Sequence, residues 1–227
     1  MALEAEMNIR QENEKTILAV ETSTSAASVA LIRGKNILGE WTIVQEAHYS
    51  HILLKMIDGL LQQSRVPLSA VDFYAVSTGP GSFTGLRVGL ATVRGLSTGR
   101  SKPVLGVPTL DAFASRLPLD TGLIRPAIPA RRGEVYTALY RRLSPEKIER
   151  METPEIITVQ KMMEELKGPV YLLGNFPSVF PPLRHPSAVS VALSALTSLE
   201  EGREERNPEV LLPDFPAGKA RKDGLFL

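Results

Sequence analysis

The sequence of 227 residues predicts an α/β fold: a mixed β-sheet with helices on both faces, followed by a second, degenerate copy of the same unit. Three observations predict it. Three short apolar runs near the start are separated by brief polar links, the pattern of an antiparallel meander. The apolar period then switches to three and four and back again, which inserts crossover helices between strands. Past residue 117 the same succession returns in weaker form.

Thr16–Glu21 (TILAVE) is the first apolar run, closed by the hydroxyl cluster Thr22–Ser25. Ala27–Ile32 follows, and Gly34 in Arg33-Gly34-Lys35-Asn36 makes a tight turn into Ile37–Val44. Ile52, Leu53, Met56, Ile57, Leu60 and Leu61 recur at helical spacing, which predicts a helix over 49–63 with Ser50 as its N-cap and Pro67 beyond its end. Val71–Ser77 is the next strand. The glycine-rich loop Thr78-Gly79-Pro80-Gly81-Ser82-Phe83-Thr84 leads into a helix predicted over 85–98 and stopped by Gly99. Val104–Val107 is apolar again, and Thr109 is placed to cap a short helix through Ser115. The order β-β-β-α-β-α-β, with its crossover strands parallel, is that of the ribonuclease H-like fold.

Residues 117–123 carry Pro, Gly and Asp and read as a boundary. Ile124–Ala130 and Glu134–Tyr140 flank Arg131-Arg132-Gly133 as a hairpin. Thr158 caps a helix through Leu166, Val170–Leu173 is a strand ended by Gly174-Asn175, and Ser190–Glu201 is helical. The organisation expected is a flexible lead over 1–15, a first half over 16–116, a second half over 117–212 and a loose tail over 213–227.

Composition excludes several functions. There is no cysteine, so disulfides, Cys-ligated zinc or iron–sulfur centres and thiol nucleophiles are ruled out. The net charge of +1 is small for a protein that grips nucleic acid alone. No apolar run approaches the ~18–20 residues of a membrane helix, and residues 1–15 hold no apolar signal segment, so the expected location is the cytoplasm.

The glycine loop is the strongest chemical signal. A strand, a glycine turn and a helix N-terminus together gather free N–H groups and the positive end of a helix dipole, which suits a phosphate. Glu21, Thr22, Gly79, Gly81, Ser82, Thr84 and Gly85 would form that site. The spacing G-P-G-S-F-T-G is one residue longer than G-x-G-x-x-G and lacks the G-K-[ST] of a Walker loop. A tight turn in which Ser82 or Thr84 caps a helix fits the same residues, and spacing alone leaves both readings open. Glu21 has no second carboxylate near it, which argues against a two-metal nuclease. His48 and His51, three apart, lack a third ligand, so no metal site is expected.

The segments ILAVETSTSAASVAL, HYSHILLKMIDGLL, VSTGPGSFTGLRVGLATVRGLS, PVLGVPTLDAFA and ARRGEVYTALY, spanning about residues 16–142, resemble the TsaB family. Pro129 stands where that family usually has Asp, and Glu209-Val210-Leu211-Leu212-Pro213 replaces its tyrosine–arginine stretch. The resemblance implies an actin-like ATPase fold of two ribonuclease H-like halves whose nucleotide site no longer works, with no cofactor of its own. It implies a non-catalytic subunit of the complex that places the threonylcarbamoyl group on the tRNA adenosine beside the anticodon. The implied partners are TsaD, the catalytic, metal-carrying paralogue, and TsaE, a P-loop ATPase. A homodimer is implied in the absence of TsaD, with tRNA met only through the complex.

The family pairs through the two helices of the first half. Carried over, the interface is Leu53, Met56, Ile57, Leu60, Leu86, Gly89, Leu90 and Val93. On this expectation Gly89→Arg spares the fold and abolishes pairing. The alternatives are an actin-like-fold ATPase or kinase, or a glycoprotease-like peptidase. An ATPase needs a second phosphate loop, for which Gly174-Asn175 is the candidate.

Overall fold

The computed structural model describes residues 14–44, 51–131, 133–176 and 183–202. His48, Tyr49, Ser50, Arg132, the segment 177–182, the lead over 1–13 and everything past 202 lie outside the described residues.

Strands β1 (Thr16–Glu21), β2 (Ala26–Arg33) and β3 (Asn36–Val44) form the expected meander, with Gly34 at φ +53° in the second turn. Helix α1 is Leu53–Ser64, starting later than the spacing predicts. Its N-cap position is Ile52, without a side-chain cap. It ends where Arg65 turns left-handed and the Val66 amide donates to the Leu61 carbonyl. A 3-10 turn over Leu68–Ala70 is capped by Val71, and β4 follows as Phe73–Gly79 rather than 71–77. Helix α2 is Phe83–Thr98, two residues longer at its start than expected, because Ser82 caps it: its Oγ accepts from the Gly85 amide at 3.2 Å. Strand β5 (Val104–Pro108) runs directly into α3 (Thr109–Ser115). Thr109 does not cap that helix; its Oγ1 accepts from the Gly79 amide at 3.1 Å.

The first sheet has the order β3-β2-β1-β4-β5. Its meander pairs are antiparallel and its crossover pairs, β1–β4 and β4–β5, are parallel, as the ribonuclease H-like reading requires.

The second half comprises β6 (Gly122–Pro129), β7 (Glu134–Thr137), β8 (Tyr140–Ser144), β9 (Lys147–Arg150), β10 (Glu155–Thr158), α4 (Val159–Glu165), β11 (Val170–Leu173) and α5 (Ala188–Glu200). The predicted strand 134–140 is broken at Ala138–Leu139. Its two pieces still follow one edge of β6 in a single antiparallel register, Ile124 opposite Tyr140 and Ala127 opposite Thr137. β9 and β10 line the outer edge of β8 and β7, and β11 lies parallel on the far edge of β6. Reading β7 with β8 and β9 with β10 as single broken strands, the order repeats β3-β2-β1-β4 of the first sheet. The second half is thus a degenerate copy, without a counterpart of β5 among the described residues.

The apolar core explains the layering. One face of the first sheet, with Leu18, Val20, Leu31 and Val76, packs under α1 and α2. Its other face, with Ile17, Ala19, Ala30 and Leu105, packs against α5. Helix α3 turns Leu110, Phe113 and Ala114 onto Ile124, Tyr140 and Leu173 of the second sheet. Helix α4 covers that sheet's outer face through Met162.

Candidate functional site

The glycine loop and the β1–β2 turn close on each other. Glu21 ends β1 fully buried, and its Oε1 accepts from the Ser23 amide at 2.6 Å. The Thr22 hydroxyl donates to the Gly85 carbonyl at 2.8 Å, and the Ser82 amide donates to the Ser23 carbonyl at 2.7 Å. With the Gly79 and Gly85 amides bonded to Thr109 and Ser82, four N–H groups of turn and loop already have protein acceptors.

The glycines are there for close approach. A Cβ on Gly81 would sit 2.5 Å from the Ser23 carbonyl oxygen, and one on Gly85 would run into the Thr22 carbonyl. Gly79, at φ +116°, occupies backbone space that side chains avoid. Of the residues proposed for a phosphate, Ser82 and Thr84 remain exposed, while Glu21, Thr22, Gly79, Gly81 and Gly85 are packed together. The turn-and-cap reading therefore accounts for the geometry of this loop.

Burial raises the pKa of Glu21 from its ordinary 4.5, against the opposing pull of the Ser23 and Ser77 hydroxyls and the Ser23 amide. Desolvation outweighs these hydrogen bonds, so the carboxyl is held toward its neutral form. Among the described residues no three His, Cys, Asp or Glu side chains converge as metal ligands. His51 is exposed at the approach to α1.

The helix pair corrects an expectation. Leu53, Met56, Ile57, Leu60, Leu86, Gly89, Leu90 and Val93 are all buried within this chain. An apolar stripe at helical spacing turns toward its own sheet, because that is where most apolar area leaves water. Gly89 in particular lies over the Thr22 hydroxyl, with Val20 and Val76 behind it. It is not a surface position.

The outward face of the pair is different. Leu54 is 54% exposed and Phe83 49%. Thr84, Arg87, Ala91, Gly95 and Thr98 follow one another along exposed α2, and nothing lies within 4 Å of a Cβ built on Gly95. A groove of ≈ 540 Å³ continues this face, walled by Leu54, Ile57, Leu61, Val66 and Leu96, with Asp58 and Arg65 also lining it. Small and mixed residues carry no periodic apolar signal, so the sequence marks this face only by the small residues of the helix, Gly95 and Thr92 among them.

The hollow of ≈ 210 Å³ beside Gly174-Asn175 is lined by Pro129, Val159 and Phe176 with Glu134 and Asn175, and among the described residues no cationic side chain lines it. His185, which the sequence places between Arg184 and Pro186 in an irregular segment, has its Nδ1 3.3 Å from the Thr24 hydroxyl, a contact between residues 161 apart that the sequence does not reveal. Its pKa is lowered by burial and by Arg116 and Arg184.

Fold and loop define a class: α/β proteins of two related ribonuclease H-like halves, here with the glycine loop closed by the chain's own backbone. The comparisons agree. The family model for TsaD, tRNA N6-adenosine threonylcarbamoyltransferase, matches residues 36–191. The tRNA threonylcarbamoyladenosine biosynthesis protein TsaB of Escherichia coli K12 is 34% identical over 204 residues, covering 87% of this chain and 81% of the relative. The Haemophilus influenzae protein of that name is 43% identical over 126 residues, 53% of this chain and 52% of the relative. The solved structure of YeaZ from Pseudomonas aeruginosa has a TM-score of 0.74 at 28% identity, covering 88% of this chain and 99% of that one. The chain belongs to the TsaB family.

Proposed function

We propose that this chain serves the formation of threonylcarbamoyladenosine in tRNA as a non-catalytic scaffold subunit, pairing with the catalytic TsaD subunit through the outward face of α1 and α2. The single observation that carries the non-catalytic reading is the closure of the glycine loop onto Thr22 and Ser23. A phosphate there would have to displace protein acceptors from amides already bonded, and Glu21 is buried and turned onto Ser23. The near-neutral charge suits a subunit that meets tRNA through its complex rather than alone. TsaE joins the complex as its ATPase, and without TsaD the same face pairs two copies of this chain. The complex works in the cytoplasm; no helix of the described residues is long and apolar enough to cross a membrane.

The pairing face is tested by Gly95→Arg. The position is open, so the fold is retained, while a guanidinium on the flat stretch of α2 blocks a partner helix. Loss of TsaD co-purification is the expected result, and undiminished co-purification removes this face as the interface. Calorimetry with ATP and Mg²⁺ tests the other half of the reading: binding in the micromolar range with turnover by the isolated chain would return it to the actin-like ATPases or kinases.

A further inference from the structure

We propose that the outward face of α1 and α2 selects its partner by charge: it is matched to an acidic helical surface and mismatched to a second copy of this chain. The selection rests on that face being the pairing surface, as proposed above, and names what the surface recognises. The whole chain carries a net charge of +1, but the charge is unevenly placed. Residues 53–102, which hold both helices, contain six Lys and Arg side chains against two acids, Asp58 and Asp72, a net +4. The rest of the chain is therefore −3. Helix α2 has no acidic residue at all.

One of the two acids is committed to the sheet. Asp72 accepts from the Thr16 amide at 2.9 Å and lies 3.9 Å from Lys102. Asp58 is then the one acid of the helix pair, lining the groove together with the exposed Arg65. Arg87 stands on the exposed stripe of α2, and its Cζ lies 4.9 Å from the centroid of the Phe83 ring, a contact that holds the charge on this face. Arg94 follows two turns further along the same side of the helix.

A two-fold pair of identical chains presses a patch against its own copy. Here that sets net positive charge against net positive charge. An acidic partner turns the same side chains into attraction, which speeds encounter and rejects the wrong partner more than it adds affinity. The uncharged positions Ala91, Gly95 and Thr98 let a partner helix come close, so the charges act at short range. A nucleic-acid backbone would answer the charge but leave the exposed Leu54 and the apolar groove beside it wet.

The test is salt. Sedimentation equilibrium follows self-pairing of the full chain and interferometry follows its pairing with TsaD, each from about 0.1 M to about 1 M NaCl, which shortens the Debye length from ~10 Å to ~3 Å. Self-pairing is expected to tighten about three-fold and pairing with TsaD to weaken about ten-fold. Slopes of the same sign, or none, would overturn the selection while leaving the pairing face intact. No pairing with TsaD at any salt concentration would remove the face and the selection with it. Arg65→Gln combined with Arg87→Gln removes two charges and is expected to tighten self-pairing and loosen the TsaD pair. A variant that loosens both would mean that the guanidiniums act as contacts and not as charge, against the proposal. Binding of tRNA by the isolated chain, weakened by salt and by this variant, would assign the face to a phosphate backbone and overturn it too.

Discussion

The carboxylate of Glu40, in the edge strand of the first sheet, accepts a 3.1 Å hydrogen bond from the amide of Val189, a residue 149 positions further along the chain. The same oxygen accepts from Ser28 Oγ at 3.0 Å. An anion at a helix N-terminus satisfies an orphan amide and meets the positive end of the dipole, so one side chain fixes the start of α5 to β2 and β3. Glu40→Ala is expected to lower stability by about 1–2 kcal/mol in urea denaturation. Glu40→Gln, which keeps an acceptor and loses the charge, is expected to cost less than the alanine variant. Equal stability of all three would show that α5 is held by apolar contact alone.

The glycines of α2 are expected to divide into two behaviours. At Gly89 a methyl group meets the Thr22 hydroxyl, which must swing away and abandon the Gly85 carbonyl. Gly89→Ala is therefore expected to destabilise by about 1–3 kcal/mol, although alanine is the better helix former. At Gly95 the helix faces open space, and Gly95→Ala is expected to stabilise by roughly 0.5–1 kcal/mol. Thermal melts of the two variants check this; a stabilised Gly89→Ala protein would contradict the packing of α2 on the β1–β2 turn.

These two glycines also show what the sequence could and could not disclose. The first sheet was legible because its strands are short apolar runs between polar turns, and α1 and α2 because Leu53, Met56 and Ile57, or Leu86, Leu90 and Val93, repeat at helical spacing. The same stripes misled about pairing. Periodicity reports which face is buried, not what buries it, and here the chain's own sheet does. The second sheet was less legible, since β7 to β10 run four or five residues each and break at Ala138–Leu139. Too few residues alternate there for a period to emerge. The closure of the glycine loop was illegible because it depends on Thr22 and Gly85, 63 residues apart, meeting in space. The exchange of α3 and α5 between the lobes has the same cause: an apolar helix carries no mark of the sheet it will choose.

His185 should make stability fall in mild acid. Burial, with Arg116 and Arg184 nearby, lowers its folded pKa below the ordinary 6.5. As pH drops through 6.5 the unfolded chain takes up a proton that the folded chain refuses, so stability is lost from there down to the folded value. His185→Asn removes that contribution. The difference in urea midpoint between about pH 7.5 and about pH 5.5 is expected to be larger for the native sequence than for the variant. An identical dependence would show that His185 titrates as it does in the unfolded chain.

Glu21 should act over the neighbouring range with the opposite sign. Its folded pKa is raised above 4.5 chiefly by desolvation. Below 4.5 both states are protonated and the neutral carboxyl contributes fully. As pH rises past 4.5 the unfolded chain ionises while the buried group keeps its proton, so this contribution declines until the folded pKa is reached and stays level beyond it. Glu21→Gln has the same shape and no charge to desolvate. It is expected to escape the decline and to be more stable than the native sequence at neutral pH, with the gap closing as pH is lowered toward 4.5. Glu21→Asp, which keeps an acid and shortens it, is expected to lose the Ser23 amide bond and fall below both. A glutamine variant less stable at neutral pH than the native chain would mean that the carboxylate is ionised and held by a charge the site does not display. The loop would then have to be reconsidered as one built for a cation.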